Sequence, residues 1–105
     1  MNDQLFRAFA DPTRRRALRL LRRRQLCVCD LTDALRLPQP TVSRHLGALQ
    51  RAGLVRVEKR GKWRHYALVK RTDKVGKALV ACLDGEADTN GDLKRLGAQP
   101  RRTCD

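Results

Sequence analysis

Acidic and aromatic side chains are both scarce in this 105-residue chain: 11 Asp and Glu face 24 Lys and Arg, and the aromatics are two Phe, one Trp and one Tyr. No pair of carboxylates falls in an apolar setting. The two histidines belong to no Ser/His/Asp set and there is no glycine-rich phosphate loop, so no enzyme is expected. Long apolar runs are missing too. No window approaches the roughly 18 apolar residues of a membrane span, and the N-terminus lacks the apolar region of a signal peptide. These absences point to a cytoplasmic protein without a membrane partner. Four cysteines, Cys27, Cys29, Cys82 and Cys104, are therefore expected as reduced thiols, open to metal or redox chemistry or to neither. The length allows one domain with one modest core.

What is present is positive charge, a formal net +13. Such self-repulsion calls for an acidic partner, and nucleic acid is the first candidate. Residues 1–77 carry 20 of the basic and 6 of the acidic side chains, and residues 78–105 carry 4 and 5. The basic surface thus belongs to the folded part of the chain and not to a tail.

Leu5, Phe6 and Phe9 predict a short amphipathic helix over residues 2–9. Asp11 and Pro12 open a second over residues 12–24, where Asp can accept from the free N–H groups of the first turn and Pro sacrifices no bond. Ala17, Leu18 and Leu21 form its inner face. Its arginines read equally as a solvated face and as phosphate contacts. Residues 27–36 and 40–51 are two short helical patterns parted by a break at 37–39, the length of a helix-turn-helix. In the second, Val42, Leu46 and Leu49 face inward, and Gly53 stops the helix. Alternation over 54–59 and the run Trp63 to Leu68 predict two strands joined by the cationic tip Arg60, Gly61, Lys62. A last helix spans about 72–83. It and the first helix hold more apolar face than one small core uses, which makes both candidates for a dimer interface. Residues 85–105 lack periodicity and are expected to be a disordered tail beyond a domain of residues 1–84. The fold class is mainly α with a two-stranded β wing: a winged helix-turn-helix that reads DNA.

Three blocks carry a family likeness. FADPTRRRALRLL (Phe9 to Leu21), QPTVSRHLGALQRAGLV (Gln39 to Val55) and RGKWRHYAL (Arg60 to Leu68) closely resemble the ArsR-type (ArsR/SmtB) winged-helix repressors, over roughly residues 5–83. The resemblance implies a homodimer that binds an operator palindrome and lets go when an effector binds. It places Gln39, Thr41, Ser43, Arg44 and His45 in or beside the major groove. The residue chemistry agrees, since Arg forks onto guanine, Gln onto adenine, and hydroxyls reach bases or phosphates. Arg44 or Gln39 is expected to specify and Thr41 and Ser43 partly to position. His45 reads alternatively as a half-buried or phosphate-facing histidine, and His65 as structural. Lys59, Arg60, Lys62 and Arg64 on the wing are expected at phosphates or the minor groove. Family members commonly cap the recognition helix with Ser or Thr; here stands Pro38, which has no side-chain acceptor, so the cap is missing or comes from Gln39.

In arsenic-responsive members, the resemblance further implies, the stretch here reading CVCDL (Cys27 to Leu31) opens the first helix of the helix-turn-helix and its cysteines bind trivalent arsenic. With Cys27 at the N-cap, both sulfurs lie at the positive end of the helix near Arg24, which favours thiolate, the ligand form for soft ions. Residues two apart on an ideal helix point to opposite sides, so Cys27 and Cys29 share an ion only where the chain is irregular or the first turn yields. The bland alternative is two buried cysteines acting as small hydrophobes. Some arsenic sensors have another cysteine where this chain has Thr32. A third sulfur would then come from Cys104, from Cys82 or from a small thiol; Cys82 is assigned to the core and Cys104 to a bystander role. No cysteine precedes Cys27, unlike cadmium and lead sensors. Residues 72–84 hold no His, unlike zinc and nickel sensors. The expectation is a repressor released by trivalent arsenic or antimony, with a thiol-redox or persulfide sensor of the same fold as the alternative. A nucleoid-type DNA binder is the reading without a switch.

Overall fold

Asp11 sets the first long helix in place. In the computed structural model, which describes residues 3–99, its carboxylate accepts from the N–H groups of Thr13 (2.8 Å) and Arg14 (3.1 Å), and Pro12 follows at the first helical position. Helix α1 (Asp3–Ala10) precedes it, and α2 runs Pro12–Arg23. Leu5, Ala8 and Phe9 of α1 bury against α2, whose Ala17, Leu18, Leu20 and Leu21 run through the core. Phe6 is left 52% exposed.

A two-residue strand β1 (Leu26–Cys27) then leads directly into α3 (Val28–Leu35), and α4 (Gln39–Arg51) follows after a short turn. Arg36 closes α3 in the left-handed region (φ 55°), its N–H donating to Thr32 O at 2.9 Å. Val42, Leu46 and Leu49 of α4 are buried as the spacing predicts. The helix ends on a Schellman turn: Leu54 N–H reaches Leu49 O and Gly53 N–H reaches Gln50 O, both at 3.0 Å, with Gly53 at φ +77°. Pro38 is the N-cap and makes no side-chain cap; its carbonyl accepts from Thr41 and Val42 instead. Gln39 does not replace the cap: among the described residues its one side-chain bond is made by the amide nitrogen, which donates to Ser43 Oγ at 2.6 Å, and not by the oxygen that a cap would use.

Strands β2 (Val55–Arg60) and β3 (Trp63–Leu68) form the hairpin wing in the register Val55↔Leu68 to Arg60↔Trp63, closed by a two-residue turn with Gly61 at φ +57°. The sheet has three strands and not two, because β1 pairs antiparallel with β3, Leu26↔Tyr66 and Cys27↔His65. Helix α5 (Lys74–Cys82) is capped by Asp73, which accepts from Gly76 N–H at 3.0 Å. It buries only Gly76 and leaves Val75, Leu79 and Val80 partly covered.

A disordered tail from residue 85 is not what the structure shows. After a single turn at Leu83–Gly85, helix α6 (Asp92–Ala98) packs back on α2 and α3 with Leu96 in the core. The seven residues of α6 are too few for a visible apolar period, and their burial depends on partners far earlier in the chain. Residues 100–105, including Cys104, lie outside the described residues.

Candidate nucleic-acid interface and thiol site

Helix α4 and the wing present the basic surface together. Gln39 and Arg44 are exposed, and Thr41 and Ser43 are half-buried. Lys59, Arg60, Lys62 and Arg64 are all exposed on the hairpin, where Arg60 also pairs with Glu58 at 3.2 Å. A groove runs between helix and wing. Gln39, Ser43, Gly47 and Gln50 line one wall, and Lys62 and Trp63 belong to the other. The sequence reading overlooked Trp63 and Gln50 as groove residues. Trp63 had a signal all the same: an indole beside Lys62 at a hairpin tip has no core to fill, and it is 37% exposed.

His45 is less available than its neighbours. Its Nδ1 accepts from Arg14 Nε at 3.3 Å, so α2 and α4 are tied at this point. Burial pushes its pKa below the usual histidine value, and the charges of Arg14 and Arg44 add to this against the pull of Asp11. Arg14 thereby stands beside α4, whereas Arg15, Arg16, Arg19 and Arg22 are engaged with Glu86, Asp92, Glu86 and Asp84. His65 is buried in β3, as a structural role requires.

The second cluster lies where β1 meets α3. Cys27 is the N-cap, with extended backbone (φ −79°, ψ 164°), and is 1% exposed; Cys29 is half-buried one residue into the helix beyond Val28. Because Cys27 is not itself helical, the opposition expected of residues two apart is relaxed. The two sulfurs and an Asp30 carboxylate oxygen lie within 4.8 Å of one another. The thiol of Cys27 donates to Asp30 Oδ2 at 3.2 Å, the place a capping-box acid would occupy. Sequence reasoning did not count Asp30 as a third donor beside the sulfurs. Cys82, expected in the core, is exposed instead: it ends α5 on the side away from the core-facing Leu83.

Among the described residues no helix is long and apolar enough to cross a membrane. Residues 11–57 match the arsR family of bacterial regulatory proteins. The chain is 41% identical to an arsenic resistance transcriptional regulator of Pseudomonas putida, over 92% of this chain and 80% of that one. It is 50% identical to the arsenical resistance operon repressor of Escherichia coli, over 62% of this chain and 56% of that one. Among solved structures it resembles HlyU of Vibrio cholerae, with a TM-score of 0.68 and 32% identity over 78% of this chain and 86% of that one. The helix-turn-helix, the basic hairpin and these likenesses agree, and the chain belongs to the ArsR family, as a DNA-binding transcriptional repressor and not an enzyme.

Proposed function

We propose that the protein represses transcription as a homodimer on an operator palindrome, acts in the cytoplasm, and dissociates when Cys27 and Cys29 hold trivalent arsenic or antimony. The observation that carries this reading is the approach of the two sulfurs and the Asp30 carboxylate at the hinge between β1 and α3. Two thiols form a soft donor pair, suited to a thiophilic trivalent ion and poorly suited to hard cations. The bound ion would supply strong bonds to sulfur and nothing more.

The chain's own residues supply the rest. Cys27 must surrender the proton it donates to Asp30, so binding releases protons and weakens as the pH falls. Drawing the sulfurs together pulls on a residue that belongs at once to the wing sheet, through Cys27↔His65, and to the start of α3. Both DNA-reading elements therefore feel the same displacement. Ligand-driven release requires only that the ion bind the distorted form more tightly. Dimerisation is assigned to α1, which exposes Phe6, and to α5, whose apolar side chains are only partly covered.

Fluorescence anisotropy of a labelled palindromic promoter fragment with reduced protein tests the reading, titrating arsenite, zinc and a mild oxidant separately. Release by arsenite, lost in the Cys27→Ser, Cys29→Ser double variant without loss of DNA binding, is the expected result. Release that survives in the double variant would place the site elsewhere. The proximity of the two sulfurs also suits a thiol-redox or persulfide switch; release by oxidant and not by arsenite would select it.

A further inference from the structure

Helix α6 makes contacts that neither the DNA-facing surface nor the thiol cluster uses. Asp92, its first residue, is 1% exposed. The carboxylate accepts from Arg16 Nε at 2.8 Å, from Arg16 Nη2 at 2.9 Å and from Arg95 Nη2 at 3.0 Å. Both guanidiniums also reach past it to α3: Arg16 Nη2 donates to Leu35 O at 2.9 Å, and Arg95 Nε donates to Ala34 O at 2.7 Å. These are the last two carbonyls of α3, which an α-helix leaves without partners of its own, and positive charge suits the negative end of the helix dipole. At the other end of α3, Gln99 Nε2 donates to Asp30 O at 3.1 Å.

Helix α6 and the Gln99 that follows it thus grip α3 at its end and in its first turn. That end is immediately followed by Arg36, in the left-handed region, and by the turn into α4. A buried carboxylate cannot be left without its cations, so the three side chains hold one arrangement. We propose that Asp92, Arg95 and Arg16 are positioning residues for operator readout: they fix the C-terminal end of α3 and with it the angle at which α4 meets the major groove. The proposal rests on the reading of α4 as the recognition helix and extends it to a part of the chain that touches no DNA. Base readout demands side chains held to within about 0.5 Å. Sequence-independent binding depends on phosphate neutralisation and tolerates a tilted helix. Loss of the network should therefore cost discrimination and not general affinity.

The test compares two duplexes by anisotropy: one selected by the wild-type protein from a random-sequence pool, and a scrambled version of it. Arg95→Met keeps the aliphatic stem and leaves Asp92 with Arg16. Operator affinity is expected to fall about tenfold as α3 loses the Arg95 bond to Ala34 O and Asp92 keeps only one of its two cations, with scrambled-duplex affinity changed less than about twofold and the helical circular dichroism retained. Asp92→Asn should shift the ratio in the same direction; should it fail to fold, Arg95→Met decides alone. A folded Arg95→Met protein with the wild-type ratio overturns the proposal, as does an equal loss on both duplexes, which would make the network a stability element only. A wild-type protein that selects no sequence would overturn the operator reading itself, and the proposal with it.

Discussion

Arg44 and Lys62 carry the same charge, yet their settings predict different consequences for the proposed DNA binding. Arg44 projects from α4 and Lys62 from the hairpin turn, both exposed. Arg44→Ala should weaken operator binding by about 1–3 kcal/mol and leave random-sequence binding nearly unchanged, whereas Lys62→Ala should weaken both alike. Anisotropy with the two kinds of duplex checks this, and equal losses for Arg44 would remove it from the bases. His45 makes a prediction of a different kind. Its pKa lies below 6.5 in the fold, through burial first and then Arg14 and Arg44. The folded state favours neutral imidazole, which accepts from Arg14. The associated stability is complete above 6.5 and is lost as the pH falls through the lowered folded value. An NMR titration should find the His45 midpoint below 6.5, moving up in Arg14→Ala; a midpoint at or above 6.5 in the parent protein would contradict the assignment. At this scale the sequence was informative about residue type and poor about availability. It named His45 from its place on the helix, but the bond to Arg14, 31 residues away, leaves no local trace.

Among the elements, α3 and α4 were legible because their boundaries are written in short-range chemistry. Inward leucines recur at helical spacing, and Gly53 occupies the left-handed position that ends α4. Arg36 occupies the equivalent left-handed position after α3 without being glycine, at φ 55°. A side chain pays about 1–2 kcal/mol there and glycine loses about 0.5–1 kcal/mol in unfolded-state entropy. Arg36→Gly should therefore stabilise the domain by up to about 1.5 kcal/mol, seen as a higher thermal midpoint; a lower midpoint would mean that the Arg36 side chain contributes more than its backbone costs. The wing was legible as a hairpin, since alternating strands around Gly61 specify one. Strand β1 was not. Two residues, Leu26 and Cys27, cannot show a period, and only their pairing with β3 makes them a strand.

For the whole molecule, the uncovered faces of α1 and α5 predict how copies associate. Phe6, 52% exposed, and the partly covered Leu79 of α5 are the apolar residues to test. Phe6→Glu with Leu79→Glu should convert the proposed dimer into a folded monomer and weaken operator binding by at least about tenfold, since a palindrome rewards two linked readers. Sedimentation velocity and anisotropy on the same samples check it; a dimer that persists would place the interface elsewhere. The sequence by itself determined the winged helix-turn-helix, its basic character and the presence of two thiols at the start of α3. Caps, turns and periodicity act within a few residues, and composition needs no geometry at all. Tertiary structure alone decided that Cys27 is extended and so lies within 4.8 Å of Cys29 and Asp30, that the first strand joins the wing, and that Cys82 faces outward. It also decided that residues 92–98 form a helix held by Asp92. Arg16 and Asp92 are 76 residues apart, and their attraction exists only once the core has brought α6 against α2 and removed the water between them.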